Sequence, residues 1–255
     1  MLKKINSTIV LLAMVFGAML TINAQDAPPY AMWETIMLTP DNTQLKVLSE
    51  NMRKHNQTYH GAGVHKSTVW SIATGPNVGK LVWQMGPTTY THLDNRPAEG
   101  GHDEDWRDNV MPYIKKMHTA EYWKAHASIG NTDMIAPGAI TYPILFIRFW
   151  EIEPGQGFSI NTFFTRVQNT VKALDGENPW GLYTNEFRQG DLGRHLASIS
   201  FMKTWAELDI DVNWVETFNK VNGNNAWQNQ QNMGRTTFKN SWDEIWVYDK
   251  NMSGD

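Results

Sequence analysis

The hydrophobic pattern of this chain predicts a mixed α/β fold. Apolar runs over 32–39 and 144–153 have the length of buried strands, and a proline, Pro40 or Pro154, stands near the end of each. Each run is followed by a segment with helical spacing. In the first, predicted over 41–59, the buried stripe steps by three and four residues: Leu45, Leu48, Met52, His55 and Tyr59.

The remaining segments predict the same order of elements twice. In the first half, strands over 66–73 and 80–85 and a polar loop over 94–103 precede broken helices kinked near Pro112, with Ile114 and Trp123 on their apolar side, and a short strand over 132–136. In the second half, we predict strands over 181–187, 195–201 and 243–248, and helices over 159–174 and 203–221. Each half therefore reads β-α-β-β-α-β, the ferredoxin-like order.

Two stretches of sequence support an internal repeat. Residues 79–94 read GKLVWQMGPTTYTHLD and residues 193–209 read GRHLASISFMKTWAELD. With one inserted residue they share a glycine and a cation, an apolar strand, a threonine before an aromatic residue, and a closing Leu-Asp. We therefore divide the chain into a first unit over 25–138 and a second over 139–255.

The run ILFIRFWEI, residues 144–152, is apolar on both faces, so its sheet must be covered on both sides. Helices can cover one face and a second sheet the other. Two ferredoxin-like units packed sheet to sheet in one chain resemble the dimeric α-β barrel superfamily in a single-chain, duplicated form. The resemblance covers about residues 32–249 and is topological. It implies an α+β barrel, in a superfamily that includes cofactor-free monooxygenases, haem-using enzymes such as chlorite dismutases, isomerases and stress proteins.

The N-terminal residues predict export. Lys3 and Lys4 precede an apolar core over 9–20, and Ala24 ends the small-residue region, which is the order of a cleavable signal peptide over 1–24. We expect a periplasmic or secreted protein with no membrane span, since no stretch approaches the roughly 20 apolar residues a span needs. The net charge of −4 argues against nucleic acid as a partner, and the lack of cysteine excludes disulfides and thiol chemistry.

Seven of the eight histidines precede residue 127, so chemistry is expected in the first unit. His55 and Tyr59 share the inward stripe of the first helix, where the superfamily usually opens its pocket. Tyr90 and His92 follow the third strand. We predict His55 or His92 as a general base and Tyr59 or Tyr90 as a hydrogen-bond donor to a developing oxyanion.

The second unit carries Thr170 and Glu207 at the positions of His55 and His92, which indicates an asymmetric pocket. Trp70 and Trp83, on adjacent predicted strands, are the expected substrate-binding residues. Each of these side chains also has a purely structural interpretation, as a core histidine, a solvated loop residue or a packed aromatic.

No metal or other cofactor is predicted. His60, His65 and His102 lack the helical His-x-x-x-His spacing, and the acidic run over 103–105 is typical of a solvated helix start. The predicted helices of the second unit carry no histidine that could serve as an axial haem ligand. We therefore expect an exported barrel that binds a small, apolar or aromatic molecule, as a cofactor-free monooxygenase-like or acid–base enzyme. The alternatives are a non-catalytic periplasmic binding or stress-response protein and a haem-binding protein. The pattern leaves the oligomeric state open.

Overall fold

The computed structural model describes residues 30–136 and 140–254. The expected signal peptide, residues 1–24, lies outside the described residues. The strands are β1 Met32–Pro40, β2 Ser67–Ile72, β3 Leu81–Thr88, β4 Ile114–Asn131, β5 Ile144–Ile152, β6 Trp180–Asn185, β7 Leu196–Met202 and β8 Phe238–Tyr248. The helices are α1 Leu45–Tyr59, α2 Tyr90–Leu93, α3 His102–Asp105, α4 Ile160–Ala173, α5 Trp214–Asn222 and α6 Ala226–Thr237. None of the helices in this part of the chain is long and apolar enough to cross a membrane.

All eight strands form one closed antiparallel barrel, in the order β1-β3-β2-β8-β5-β7-β6-β4, with β4 pairing back to β1. The first half of the chain supplies the contiguous strands β2-β3-β1-β4, and the second half supplies β8-β5-β7-β6. The two halves join where β2 pairs with β8 and β4 pairs with β6. The expected packing of two separate sheets is therefore replaced by edge-to-edge hydrogen bonding, which leaves neither half with a free edge.

Among the described residues, the alternation of side chains along each strand creates three main cores and a smaller cluster of Ile144, Met202 and Ile245. One lies inside the barrel and is rich in aromatic residues, including Trp70, Trp123 and Phe149. A second lies outside, between α1 and the strands of the first half. The third lies outside between α4 and the second half, where Phe163 and Phe164 pack on the sheet. Because the helices cover only the outer surface, the barrel interior is a separate compartment.

The largest difference from the predicted elements is β4. Residues predicted as helix, including Ile114 and Trp123, lie in an 18-residue strand, and 132–136 contains no strand. The helical turns end at Tyr113, after a π-helical turn at Trp106–Val110 and a 3₁₀ turn at Met111–Tyr113. Pro112 marks the end of the helical region rather than a kink within it, since proline removes a backbone donor.

The helix predicted over 203–221 is also divided. A 3₁₀ turn at Trp205–Asp209 is separated from α5, which begins after Asn213 with a positive φ of 47°. The first helix begins at Leu45 and not at Asp41, because the Asp41 carboxylate accepts hydrogen bonds from the backbone N–H and hydroxyl of Thr43 in a local turn.

The repeated threonine has the same structural role in both halves. Thr89 is the N-cap of α2 and accepts a hydrogen bond from the backbone N–H of His92 at 3.3 Å. Thr204 caps the 3₁₀ turn at Trp205–Asp209, and the Glu207 carboxylate accepts from the Thr204 N–H at 2.9 Å in a capping box. The shared motif is thus a strand followed by a capped helical turn.

Candidate functional site

The inside of the barrel contains a cavity of about 700 Å³. Its lining alternates along the strands, as expected for inward-facing residues of a barrel. All eight strands contribute to it: Trp33, Thr35, Thr68, Trp70, Gln84, Gly86, Pro87, Trp123, Ala125, Leu145, Ile147, Phe149, Tyr183, Ala197, Ile199, Phe201 and Trp246. Segments over 63–66, 132–136 and 140–142 add further lining, including Lys66, Ile140 and Tyr142.

The wall of the cavity is mainly aromatic and aliphatic, with a few polar groups. The Gln84 side-chain carbonyl accepts a hydrogen bond from Trp70 Nε1 at 3.1 Å and one from the Thr68 hydroxyl at 3.5 Å. Burial raises the pKa of Tyr183, so its phenol stays protonated and can donate a hydrogen bond. Lys66 is the one charged residue among the described residues of the lining. Such a lining suits an apolar ring system with one or two polar substituents.

Trp70 and Trp83 lie on opposite faces of the sheet. In the β2–β3 register, Trp70 pairs with Val82 and Val69 pairs with Trp83, and directly paired residues share a face. Trp70 lines the cavity, whereas Trp83 is buried outside the barrel with Asn56, whose Oδ1 accepts from Trp83 Nε1 at 2.9 Å. The two expected substrate-binding residues are therefore separated by the sheet itself.

His55 and Tyr59 lie on the buried face of α1, as the stripe predicts, but that face covers the outside of the barrel. The Tyr59 hydroxyl donates to the Gly100 carbonyl at 3.2 Å, and His55 Nδ1 lies 2.8 Å from Asp105 Oδ2. Neither residue lines the cavity. The sequence pattern identified the buried face correctly, while the side of the sheet that carries the cavity depends on how the barrel closes.

Tyr90 and His92 also lie away from the cavity wall. The Tyr90 hydroxyl donates to Glu186 Oε2 at 3.4 Å, and burial together with this carboxylate raises the pKa of Tyr90 to about 12. His92 Nδ1 lies 3.1 Å from the hydroxyl of Thr89, the cap of the same helical turn. The structure therefore places none of the four predicted catalytic residues in the cavity wall, and their catalytic roles stay predictions.

Among the described residues, the cavity lining contains no histidine and no carboxylate. The histidine predicted as general base is therefore not among the described residues of this wall. The described part of the lining also contains no histidine, cysteine or methionine, whereas tyrosine, another residue type that ligates haem in some enzymes, is present as Tyr142 and Tyr183. In the second half, His195 Nδ1 accepts a hydrogen bond from the Ile152 N–H at 3.0 Å. That ring nitrogen is therefore engaged with the backbone, and the haem-binding alternative stays a prediction.

Three histidines instead converge outside the barrel. His55 and His60 come from the last turn and the end of α1, and His102 from the start of α3. Gly100 and Gly101, with φ of 70° and 88°, turn the preceding loop back toward α1. One ring nitrogen of each histidine lies within 4.8 Å of the others, and all three residues are buried.

Burial favours the neutral imidazole in two of these histidines. Burial lowers the pKa of His55, and burial lowers that of His60 to about 3. The sequence pattern groups His60 with His102 and predicts a separate pocket for His55. Two features of the sequence could have predicted that the three histidines meet. The buried stripe of α1 continues from His55 to the helix end at His60, and the glycine pair precedes His102.

No protein-family model matches the chain, and no curated protein matches it in sequence. Solved structures share its fold. An anthrone oxidase-like protein matches at a TM-score of 0.53 and 15% identity, covering 86% of this chain and 91% of that one. A candidate monooxygenase of Fusobacterium nucleatum matches at 0.52 and 8%, covering 87% and 94%. Chlorite dismutase of Candidatus Nitrospira defluvii, in complex with imidazole, matches at 0.51 and 5%, covering 87% and 92%.

Proposed function

We propose, from the dimeric α-β barrel fold that this chain has, that the barrel interior binds a small, largely apolar molecule of one to three fused rings. The observation that carries the proposal is the cavity of about 700 Å³, walled by Trp33, Trp70, Trp123, Tyr183 and Trp246. This volume lies in the range of small-molecule sites, and aromatic walls bind flat rings by stacking and edge contacts. Gln84, Lys66 and Tyr183 would orient a polar substituent.

The strand order also supports the proposal that the chain is a duplication of one β-α-β-β-α-β unit. Each half contributes four neighbouring strands in the order fourth, first, third, second. The capped turns at Thr89 and Thr204 occupy matching places after the third strand of each half. Duplicated units begin with equal sites, so a single shared cavity and a histidine cluster confined to one half would record later divergence.

A cavity-filling variant tests ligand binding. Ala125→Phe adds a ring to the cavity wall, while Ala120→Phe adds the same ring at an exposed position of the same strand. The probes are naphthalene, 2-naphthol and anthrone, and their binding is measured by the quenching of tryptophan fluorescence. We expect saturable one-to-one binding of at least one probe, at least tenfold weaker in Ala125→Phe and unchanged in Ala120→Phe. Equal affinity in the two variants, or no saturable binding of any probe, would contradict the proposal.

A second candidate function is cofactor-free oxygenation of the bound molecule. It is favoured by the fold shared with the anthrone oxidase-like protein and by Lys66 in the cavity wall, whose positive charge stabilises an enolate or phenolate oxygen. In such a step a ring methylene becomes a carbonyl. O₂ supplies one oxygen atom to that carbonyl, and the other leaves as water with the two hydrogens of the methylene.

Oxygen consumption with anthrone as substrate separates an oxygenase from a binding protein. An oxygenase should consume one O₂ per anthrone faster than the buffer does, and Lys66→Met should lower kcat more than the affinity for anthrone. Binding without enhanced consumption would instead support the non-catalytic alternative, a binding or stress-response protein. Export to the periplasm remains part of the proposal in either case.

A further inference from the structure

The histidine cluster outside the barrel has a second layer of hydrogen-bond acceptors. His55 Nδ1 lies 2.8 Å from Asp105 Oδ2, His60 Nδ1 lies 3.0 Å from the His65 carbonyl, and His102 Nδ1 lies 2.7 Å from Asp103 Oδ1. Carboxylate and carbonyl oxygens only accept hydrogen bonds, so each Nδ1 must carry the ring proton. In the neutral rings, each Nε2 then has a lone pair available to accept a hydrogen bond or to bind a metal ion.

With these tautomers, none of the three lone pairs faces a hydrogen-bond donor in the part of the chain that the structure describes. Nε2 of His60 and Nε2 of His102 lie 3.0 Å apart, so in the neutral tautomers two acceptors face one another. Among the described residues, the buried Nε2 of His55 has no hydrogen-bond partner. Leaving a buried polar atom unpaired costs about 1–3 kcal/mol. A cation between the rings would satisfy all three atoms at once.

We propose that His55, His60 and His102 bind a divalent transition-metal ion, Zn²⁺ in the first instance, through their three Nε2 atoms. Imidazole suits Zn²⁺, and three histidines with a fourth position left for water or another small ligand form a known type of zinc site. Tetrahedral geometry with Zn–N bonds near 2.05 Å places the nitrogens about 3.3 Å apart. Nε2 of His60 and Nε2 of His102 are 3.0 Å apart, and one ring nitrogen of each of the three histidines lies within 4.8 Å of the others.

The surrounding groups fit such a site. Metal-bound histidines usually donate the other ring N–H to a carboxylate or a carbonyl, which Asp105, Asp103 and the His65 carbonyl provide. His55 and His60 are 1% exposed and His102 is 8% exposed, so the ion would enter beside His102. The ion would hold α1, the turn after it and the loop before α3 together. This turn includes Gly63 and Val64, which line the cavity.

Metal analysis of the full chain, purified without a polyhistidine tag, tests the site. The wild-type protein should retain one Zn²⁺ per chain after dialysis. At a free Zn²⁺ concentration of about 100 times Kd, its Tm should rise by roughly 5–10 °C over the chelator-treated protein. His102→Gln, at the most exposed ligand, should weaken binding at least about 100-fold, since even the loss of an outer partner costs about 10–100-fold. Asp105→Asn changes only such an outer partner, so it should weaken Zn²⁺ binding by about 10–100-fold.

His126→Gln is the matched control, because it removes a partly exposed histidine of β4 outside the cluster. It should bind Zn²⁺ like wild type. In the wild-type protein, Co²⁺ should give the intense visible absorption of a tetrahedral site, a measurement that needs no variant. Weak octahedral Co²⁺ absorption, no stoichiometric Zn²⁺, or equal binding by His102→Gln and wild type would overturn the proposal. The cluster would then be a hydrogen-bonded core with one ring in its other tautomer or protonated.

Discussion

At the scale of single residues, the side of the sheet on which a side chain lies decides what it can do. Trp70 and Trp83 have similar sequence surroundings, and both are buried. Their register places Trp70 in the cavity and Trp83 under α1. Successive side chains along a strand lie on opposite faces of the sheet. A shift of one position along the strand therefore decides whether a side chain can line the cavity or packs outside the barrel.

The first prediction contrasts these two tryptophans. Trp70→Leu should weaken binding of the aromatic probe that the wild type binds by about tenfold, or about 1.4 kcal/mol, because it removes a ring of the cavity wall. Trp83→Leu should leave that affinity unchanged but lower the free energy of unfolding by about 2–4 kcal/mol, because it leaves Asn56 Oδ1 without its donor and opens a void. Fluorescence titration and urea unfolding measure the two effects. The opposite pattern would place the ligand outside the barrel.

The burial of single residues could be predicted from the sequence, but the contacts among them could not. The stripe of α1 correctly predicts that His55 is buried, since helical periodicity is a local property. The meeting of His55 with His102 depends on a loop closing across 47 positions, directed by Gly100 and Gly101. No periodic signal encodes that contact, so the sequence prediction groups His60 with His102 but leaves His55 in a separate pocket.

At the scale of elements, short apolar strands were predicted well and long mixed segments poorly. The strand predicted over 144–153 is found at Ile144–Ile152, because a continuous apolar run between breakers has few alternatives. In β4, Ile114 and Trp123 fit a helical stripe by spacing alone, yet the chain there is extended. Pairing with both β1 and β6 stabilises the strand, and these partners lie far away in sequence.

The second prediction concerns the capped turns that mark the repeat. Thr89→Ala and Thr204→Ala should each lower the free energy of unfolding by about 1 kcal/mol, because each removes the side-chain acceptor at a helix start. The Thr→Ser variants keep the hydroxyl and should stay close to wild type in urea unfolding.

His92→Ala should not change probe affinity, since His92 lies beside the cap and not in the cavity wall. A large loss of affinity there would restore the predicted catalytic role of His92.

At the scale of the whole molecule, residues 1–24 are expected to direct export and then to be removed. The third prediction is that protein recovered from the periplasm begins at Gln25, because Ala24 is small enough for the peptidase site and follows the apolar core. Intact-mass measurement checks this. A variant with Ala24→Leu should be processed more slowly or at another position, while exported protein that retains Met1 would contradict the prediction.

The last prediction is that the two halves of the barrel fold only together. Residues 25–138 alone would leave β2 and β4 without β8 and β6, and would expose the inward face that carries Trp70 and Trp123. We expect this fragment to aggregate or to form a molten state when expressed by itself, and to become soluble and ordered when coexpressed with residues 139–255. Size-exclusion chromatography and the dispersion of side-chain NMR signals distinguish these outcomes. A soluble monomer of the first half with sharp signals would show that closing the barrel is not what stabilises the aromatic interior, and the duplicated unit would then be an independent domain.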